Sequence, residues 1–145
     1  TVARLSKISN IVGIKEATGD LKQVSKVVEL CGDDFDVLSG DDFTVLPLLA
    51  VGGKGVISVI SNIIPGDMAA MIDAFEAGDL EKARELHYRM NPIMEGCFLE
   101  TNPIPVKTAL AMMGKITLEL RLPLYKMTDA TYQKLTKIVT DYGLI

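Results

Sequence analysis

Tryptophan is absent from this 145-residue chain, histidine occurs once and cysteine twice. Aromatic residues are only 6% of the total, too sparse for the stacking platforms that hold single-stranded nucleic acid. Lysine and arginine form no block, and the net charge is −4. The basic footprint of a phosphate-backbone binder is therefore missing, and no nucleic-acid partner is expected. With His87 alone, the several ligands of a zinc or iron site cannot be assembled around imidazole, so no metal site is expected. His87 falls in a helical pattern and reads as an ordinary helix residue. Cys31 and Cys97 are far apart and belong to no CxxC pair, which suits free thiols in a reducing cytoplasm. Apolar runs such as 55–60 are far short of the ~20 residues that cross a bilayer, so no membrane span is expected. The opening residues carry no signal-peptide pattern. The expected location is cytoplasmic.

What is present is material for a core. The hydrophobic fraction is 48%, the mean hydropathy is +0.27 and the charged fraction is 23%, a balance that argues against disorder. Residues 1–10 read as the end of a helix and its exit loop. Lacking an initiator Met, the chain is expected to start inside an element. A first strand is predicted over 11–16. Asp20 then offers an N-cap, Leu21, Val24, Val27, Val28 and Leu30 follow at helical spacing, and Gly32 ends that helix. A second strand is predicted over 35–39, a loop at Gly40-Asp41-Asp42, and a short helix over 43–51. Gly52-Gly53-Lys54-Gly55 is the return turn. A third strand, 56–61, is β-branched and apolar, as doubly covered parallel strands are.

The rest is helical. Pro65 opens one helix, Gly78-Asp79 breaks it, and a second carries Leu80, Ala83, Leu86 and Met90. Asn91-Pro92 is expected to interrupt or kink the path. Residues 102–105 are expected to be extended or a turn before a helix over 106–113, and 120–125 to be extended around Pro123. Thr128 or Asp129 caps a last helix. Strand–helix alternation with short connections means a parallel α/β sheet. A (β/α)8 barrel needs about 250 residues. The fold class expected is thus the last three βα units of such a barrel followed by a C-terminal helical region. The divisions are 1–62 (barrel strands and helices), 63–90 (last barrel helix and the next) and 91–145 (C-terminal helices).

Lys15 stands out, the one charge inside the apolar run Ile11-Val12-Gly13-Ile14. An amine at the end of a buried strand is desolvated, which favours its neutral, nucleophilic form. Such a lysine attacks carbonyl carbon and forms a Schiff base. A strand-end lysine can equally send its ammonium into water while its stem packs on apolar neighbours. Glu16 points to the opposite face, so it is no obvious partner. In parallel α/β folds the C-terminal strand ends converge on the active site. Lys15, the Gly40-Asp41 loop and the end of the third strand should therefore gather. Gly52-Gly53-Lys54-Gly55 matches neither a Walker A loop nor GxGxxG and precedes a strand, so it reads as a turn needing positive φ. Asp41 and Asp42 can form an acid/base or metal pair; a helix cap beside a solvated charge is the simpler reading.

Taken in order, Gly-Ile-Lys-Glu-Ala-Thr-Gly (13–19), Leu-Ser-Gly-Asp-Asp (38–42), Gly-Val-Ile-Ser-Val (55–59), Asn-Pro-Ile-Pro-Val-Lys (102–107) and Leu-Arg-Leu-Pro-Leu (120–124) resemble the dihydrodipicolinate synthases. These sit within the pyruvate-dependent class I aldolase superfamily that also includes the N-acetylneuraminate lyases. The resemblance covers essentially the whole chain. It implies condensation of pyruvate with L-aspartate 4-semialdehyde in lysine and diaminopimelate biosynthesis, with no cofactor. Lys15 matches the catalytic amine that captures pyruvate, Ile57 a pyruvate contact, and Gly40 and Asp41 the rim of the second-substrate site. Members form complete barrels and commonly homotetramers. Their proton-relay tyrosine and semialdehyde-binding arginine come from the N-terminal half of the enzyme. Tyr88, Tyr125, Tyr132 and Tyr142 match none of those roles. The chain is therefore expected to need that half for activity. The alternatives are another pyruvate aldolase, acting on N-acetylneuraminate or a 2-keto-3-deoxy sugar acid, and a non-catalytic half-barrel assembly module.

Overall fold

A computed structural model describes all residues, Thr1 to Ile145. Its elements run α1 (Val2–Leu5), β1 (Gly13–Glu16), α2 (Leu21–Cys31), β2 (Asp36–Ser39), α3 (Val45–Ala50), β3 (Gly55–Val56), α4 (Pro65–Glu76), α5 (Leu80–Cys97), α6 (Ile104–Met112) and α7 (Asp129–Asp141). Short 3-10 turns occupy Asp42–Thr44 and Ile60–Asn62. No helix is long and apolar enough to cross a membrane. The chain divides into two compact units, one of residues 1–58 and 70–84, the other of 59–69 and 85–145.

The first unit holds a parallel three-stranded sheet in the order β1-β2-β3. Helices return the chain between strands, so each new strand runs the same way. The start of α2 is fixed by Asp20, whose carboxylate accepts hydrogen bonds from the Lys22 and Gln23 amides. Gly32, at φ +78°, ends it with its amide bonded to the Val28 carbonyl. Val24, Phe35, Val37 and Leu48 form the buried core, with Ile14, Val27, Val28 and Val51 packed around them. Burying each such aliphatic side chain contributes about 1.5–3 kcal/mol. All of this core lies on the helix-covered face of the sheet.

β3 is much shorter than the strand predicted over 56–61. Only Gly55–Val56 pairs with β2, and Ile60–Asn62 curls into a 3-10 turn. Val56 and Val59 are half-buried and Ile57 is exposed, so this β-branched run is not the doubly covered strand that its composition suggests. Ile60, at the start of that turn, is fully buried.

In the second unit, α5 runs unbroken through Pro92. The expected interruption does not occur. Proline removes one hydrogen bond, to the carbonyl four residues earlier. Met90, Ile93, Met94 and Cys97 are fully buried beside it, and their packing outweighs that single lost bond. Pro92 itself is exposed. Likewise α6 begins at Ile104, two residues earlier than the expected helix, with Pro105 inside its first turn. A proline there costs nothing, because first-turn amides have no intrahelical partner. At Gly96 an added Cβ would lie 3.2 Å from Leu135 and 3.3 Å from Ile138, so α5 and α7 approach closely there. Tyr142 donates a hydrogen bond to the Asp67 carboxylate at 2.5 Å, with Arg89 3.7 Å from the same carboxylate. Burial, and then the Asp67 carboxylate, push the Tyr142 hydroxyl well above the usual phenol range.

Thr128 caps α7, and Glu100 secures that cap by accepting hydrogen bonds from the Thr128 amide and the Thr131 hydroxyl. The Thr131 bond, followed by the Thr128 amide, holds the Glu100 carboxyl below its ordinary value. A depressed folded value means that the stabilisation is complete above the unfolded value and is lost as pH falls through the folded one. Glu100→Gln should therefore remove part of the acid sensitivity. Urea midpoints recorded from about pH 6 down to about pH 3 should fall more steeply for the parent chain than for the variant.

Candidate active site

Register decides which side chains share a face. Lys15 pairs with Leu38, and Leu38 with Gly55. Glu16 pairs with Ser39, and Ser39 with Val56. In-register residues of parallel strands point the same way. Ile14, Glu16, Val37 and Ser39 therefore face the helices, and Lys15, Leu38 and Gly55 face the other side. The ladder continues one rung past the strand ends. The Gly40 amide donates to the Glu16 carbonyl at 2.6 Å, and the Ile57 amide to the Ser39 carbonyl at 2.8 Å. Gly40 and Ile57 thus lie beyond the C-terminal strand ends on the Lys15 side. The structure brings these predicted site residues together.

The expected burial of Lys15 is not found. Lys15 is exposed, and its neighbour Glu16, 5% exposed, is the buried charge. Helices cover one face of the three-stranded sheet, so an apolar-looking strand buries only alternate side chains. The side chain lies open on the uncovered face. Lys15 Nζ makes no hydrogen bond or ion pair, which leaves the amine free for a ligand. Ile57 is 49% exposed on the same side.

Asp41 is a cap: its carboxylate accepts from the Phe43 amide at 3.1 Å. Asp42 is not the solvated charge expected beside it but is 1% exposed. The 3-10 turn that starts at Asp42 carries it inward with Val45 and Leu48. No group of three or more His, Cys, Asp or Glu side chains is placed to hold a metal ion. The Gly52–Gly55 segment is a turn, as its glycines predict. Gly52 has φ +98° and Gly55 φ +154°. Lys54 is 3.0 Å from the Asp36 carboxylate and also bonds the Asp33 carbonyl. That lysine belongs to the opposite end of the sheet from Lys15.

Sequence reasoning passed over the polar frame of the site. Glu16 Oε1 accepts from the Thr18 amide (3.1 Å), the Thr18 hydroxyl (2.5 Å) and the Gln23 amide group (3.2 Å), which locks the turn after β1. Ser39 does the same after β2. Its hydroxyl bonds the Asp41 carbonyl at 2.7 Å and lies 2.9 Å from the Thr44 hydroxyl. The signal was available in the alternation: Glu16 and Ser39 occupy the covered face at strand ends, where a buried polar group must serve the backbone. Along the free edge of β1 lies a recess of about 480 Å³, lined by Ile14, Lys15, Glu16, Thr18, Gln23 and Lys26 among others. The arrangement offers a primary amine, held at the strand ends, to a small carbonyl compound.

The family model described as "Dihydrodipicolinate synthetase family" matches residues 1–142. The chain belongs to that family. It is 63% identical over 145 residues to the 4-hydroxy-tetrahydrodipicolinate synthase of Syntrophus aciditrophicus, covering 100% of this chain and 50% of that protein. The corresponding synthase of Thermodesulfovibrio yellowstonii is 61% identical with the same coverage. Among solved structures, dihydrodipicolinate synthase from Thermotoga maritima superposes with a TM-score of 0.95 at 44% identity, over 99% of this chain and 50% of that one. The chain spans half the length of these family members. The family membership agrees with the resemblance carried by residues 13–19, 38–42 and 55–59.

Proposed function

We propose that this chain is the C-terminal half of a (β/α)8-barrel synthase that condenses pyruvate with L-aspartate 4-semialdehyde in lysine and diaminopimelate biosynthesis. The observation that carries the reading is Lys15 on the open face, at the C-terminal end of a parallel strand, in a chain 63% identical to half of a 4-hydroxy-tetrahydrodipicolinate synthase. Lys15 Nζ attacks C2 of pyruvate. Loss of water gives a protonated imine, which draws electrons from the methyl carbon. A methyl proton leaves, and the resulting enamine carbon attacks the aldehyde of the second substrate. Ile57 borders the pyruvate, and Gly40 and Asp41 form the rim on the semialdehyde side.

The N-terminal half supplies the proton acceptor and the carboxylate-binding groups, and its strands cover the free edge of β1. That edge carries unpaired backbone groups, which favour pairing with another strand. The same cover desolvates Lys15, the condition that this chain does not meet alone. The assembled enzyme is a cytoplasmic homo-oligomer in this reading. Pyruvate and borohydride, followed by peptide mass mapping of this chain combined with its complementary half, test it. The expected result is one reduced pyruvate adduct, on Lys15. Absence of an adduct there, with the halves shown to associate, overturns the assignment.

A further inference from the structure

We propose that Gly40 is a positioning residue for the Lys15 amine, a role that rests on the reading of Lys15 as the imine-forming group. Gly40 is not among the glycines with positive φ. Any residue can adopt its backbone, so what excludes a side chain there is space. A Cβ built on Gly40 lies 2.6 Å from Ala17 Cβ, 2.8 Å from Lys15 Cε and 3.2 Å from the Glu16 carbonyl oxygen. The Gly40 amide bonds that same carbonyl at 2.6 Å and holds its Cα against the end of β1. Glu16 is in turn locked by Thr18 and Gln23. The bare Cα of Gly40 is therefore a fixed wall against which the Lys15 stem lies, at the carbon that bears the amine.

A methyl group on that wall has two conflicts of different kinds. Ala17 Cβ belongs to the rigid turn. Lys15 Cε belongs to the end of a flexible side chain and moves at little cost to the fold. Its displacement carries Nζ away from the position in which it meets the pyruvate carbonyl. Misplacing a reacting atom by about 1 Å costs on the order of 10²-fold in rate. Membership of the second-substrate rim makes a different prediction, because imine formation precedes entry of that substrate. Pyruvate alone separates the two roles.

The test is the rate of borohydride trapping of pyruvate on Lys15, without semialdehyde, normalised to the folded fraction by circular dichroism. The parent chain, Gly40→Ala, and Ala17→Gly combined with Gly40→Ala are compared, each with the complementary half present. Gly40→Ala should slow trapping about 10- to 100-fold. The double variant removes the Ala17 conflict and keeps that with Lys15. It should regain thermal stability without regaining the trapping rate. Two results overturn the inference: Gly40→Ala trapping at the parent rate, or the double variant recovering the rate. A parent chain that traps no pyruvate on Lys15 refutes instead the proposed function on which this inference rests.

Discussion

Lys15→Met is expected to abolish pyruvate-dependent borohydride trapping and to leave the fold intact. Methionine keeps an unbranched apolar stem to lie against Gly40, and the exposed ammonium it removes makes no hydrogen bond within the chain. Exposed substitutions of this kind change stability by about 0.5 kcal/mol or less. Condensation by the assembled enzyme should fall on the order of 10⁶-fold or more, toward the uncatalysed reaction. Lys15→Arg should be equally inactive although it retains the charge, because guanidinium stays protonated and does not add to a carbonyl. The measurement is turnover together with the mass-mapped adduct. Trapping that persists on Lys22 or Lys26, which lie on α2, would move the catalytic amine from β1 to the helix. Retention of turnover by Lys15→Arg would mean that the residue acts as a charge and not as a nucleophile.

The largest stability effect is expected from Leu48→Ala. Leu48 is 1% exposed and lies in the core cluster with Val24, Phe35 and Val37. Truncation should cost about 2–5 kcal/mol, made up of lost burial and the cavity left behind. The same site can be overfilled from the other side. An added Cβ at Gly53 would lie 1.8 Å from Leu48 Cδ2, so Gly53→Ala should cost about 1–3 kcal/mol. When the two changes are combined, the methyl group added by Gly53→Ala points into the space that Leu48→Ala empties. The double variant should lose less than the two single losses added together, by about 0.5–3 kcal/mol for neighbouring sites. Urea unfolding of all four chains checks this. Strict additivity would show that the Gly52–Gly55 turn moves away from α3 and does not share its packing. None of these changes touches Lys15, so trapping per folded molecule should stay at the parent level.

Much of the local structure was legible from local chemistry. Asp20 as a cap, Gly32 at the end of α2, the positive φ of Gly52 and the parallel order of β1 to β3 depend on neighbours in sequence, and each appeared where the pattern placed it. Asp41 as a cap belongs with them. The departures have one character. Pro92, the length of β3 and the burial of Asp42 each depend on what packs against the residue, and a propensity or motif does not contain that. The candidate site divides in the same way. Lys15 and Gly40 were legible at the ends of predicted strands and Ile57 only through the family resemblance, whereas the Glu16 and Ser39 anchors depend on hydrogen bonds across the turns.

By itself, the sequence determined the family, and it singled out the positions for which carbonyl chemistry is proposed, because the order of residue types is a property of the chain. It also determined the parallel sheet, through the alternation of strand and helix. Only the tertiary structure decided which face of β1 is covered. That assignment exchanged the expected roles of two adjacent charges, burying Glu16 as a turn anchor and leaving the Lys15 amine open. It decided too that Gly40 is a glycine for lack of room and not for backbone freedom. The physical reason is common to both: burial and steric exclusion come from atoms distant in sequence, which the order of residues does not place.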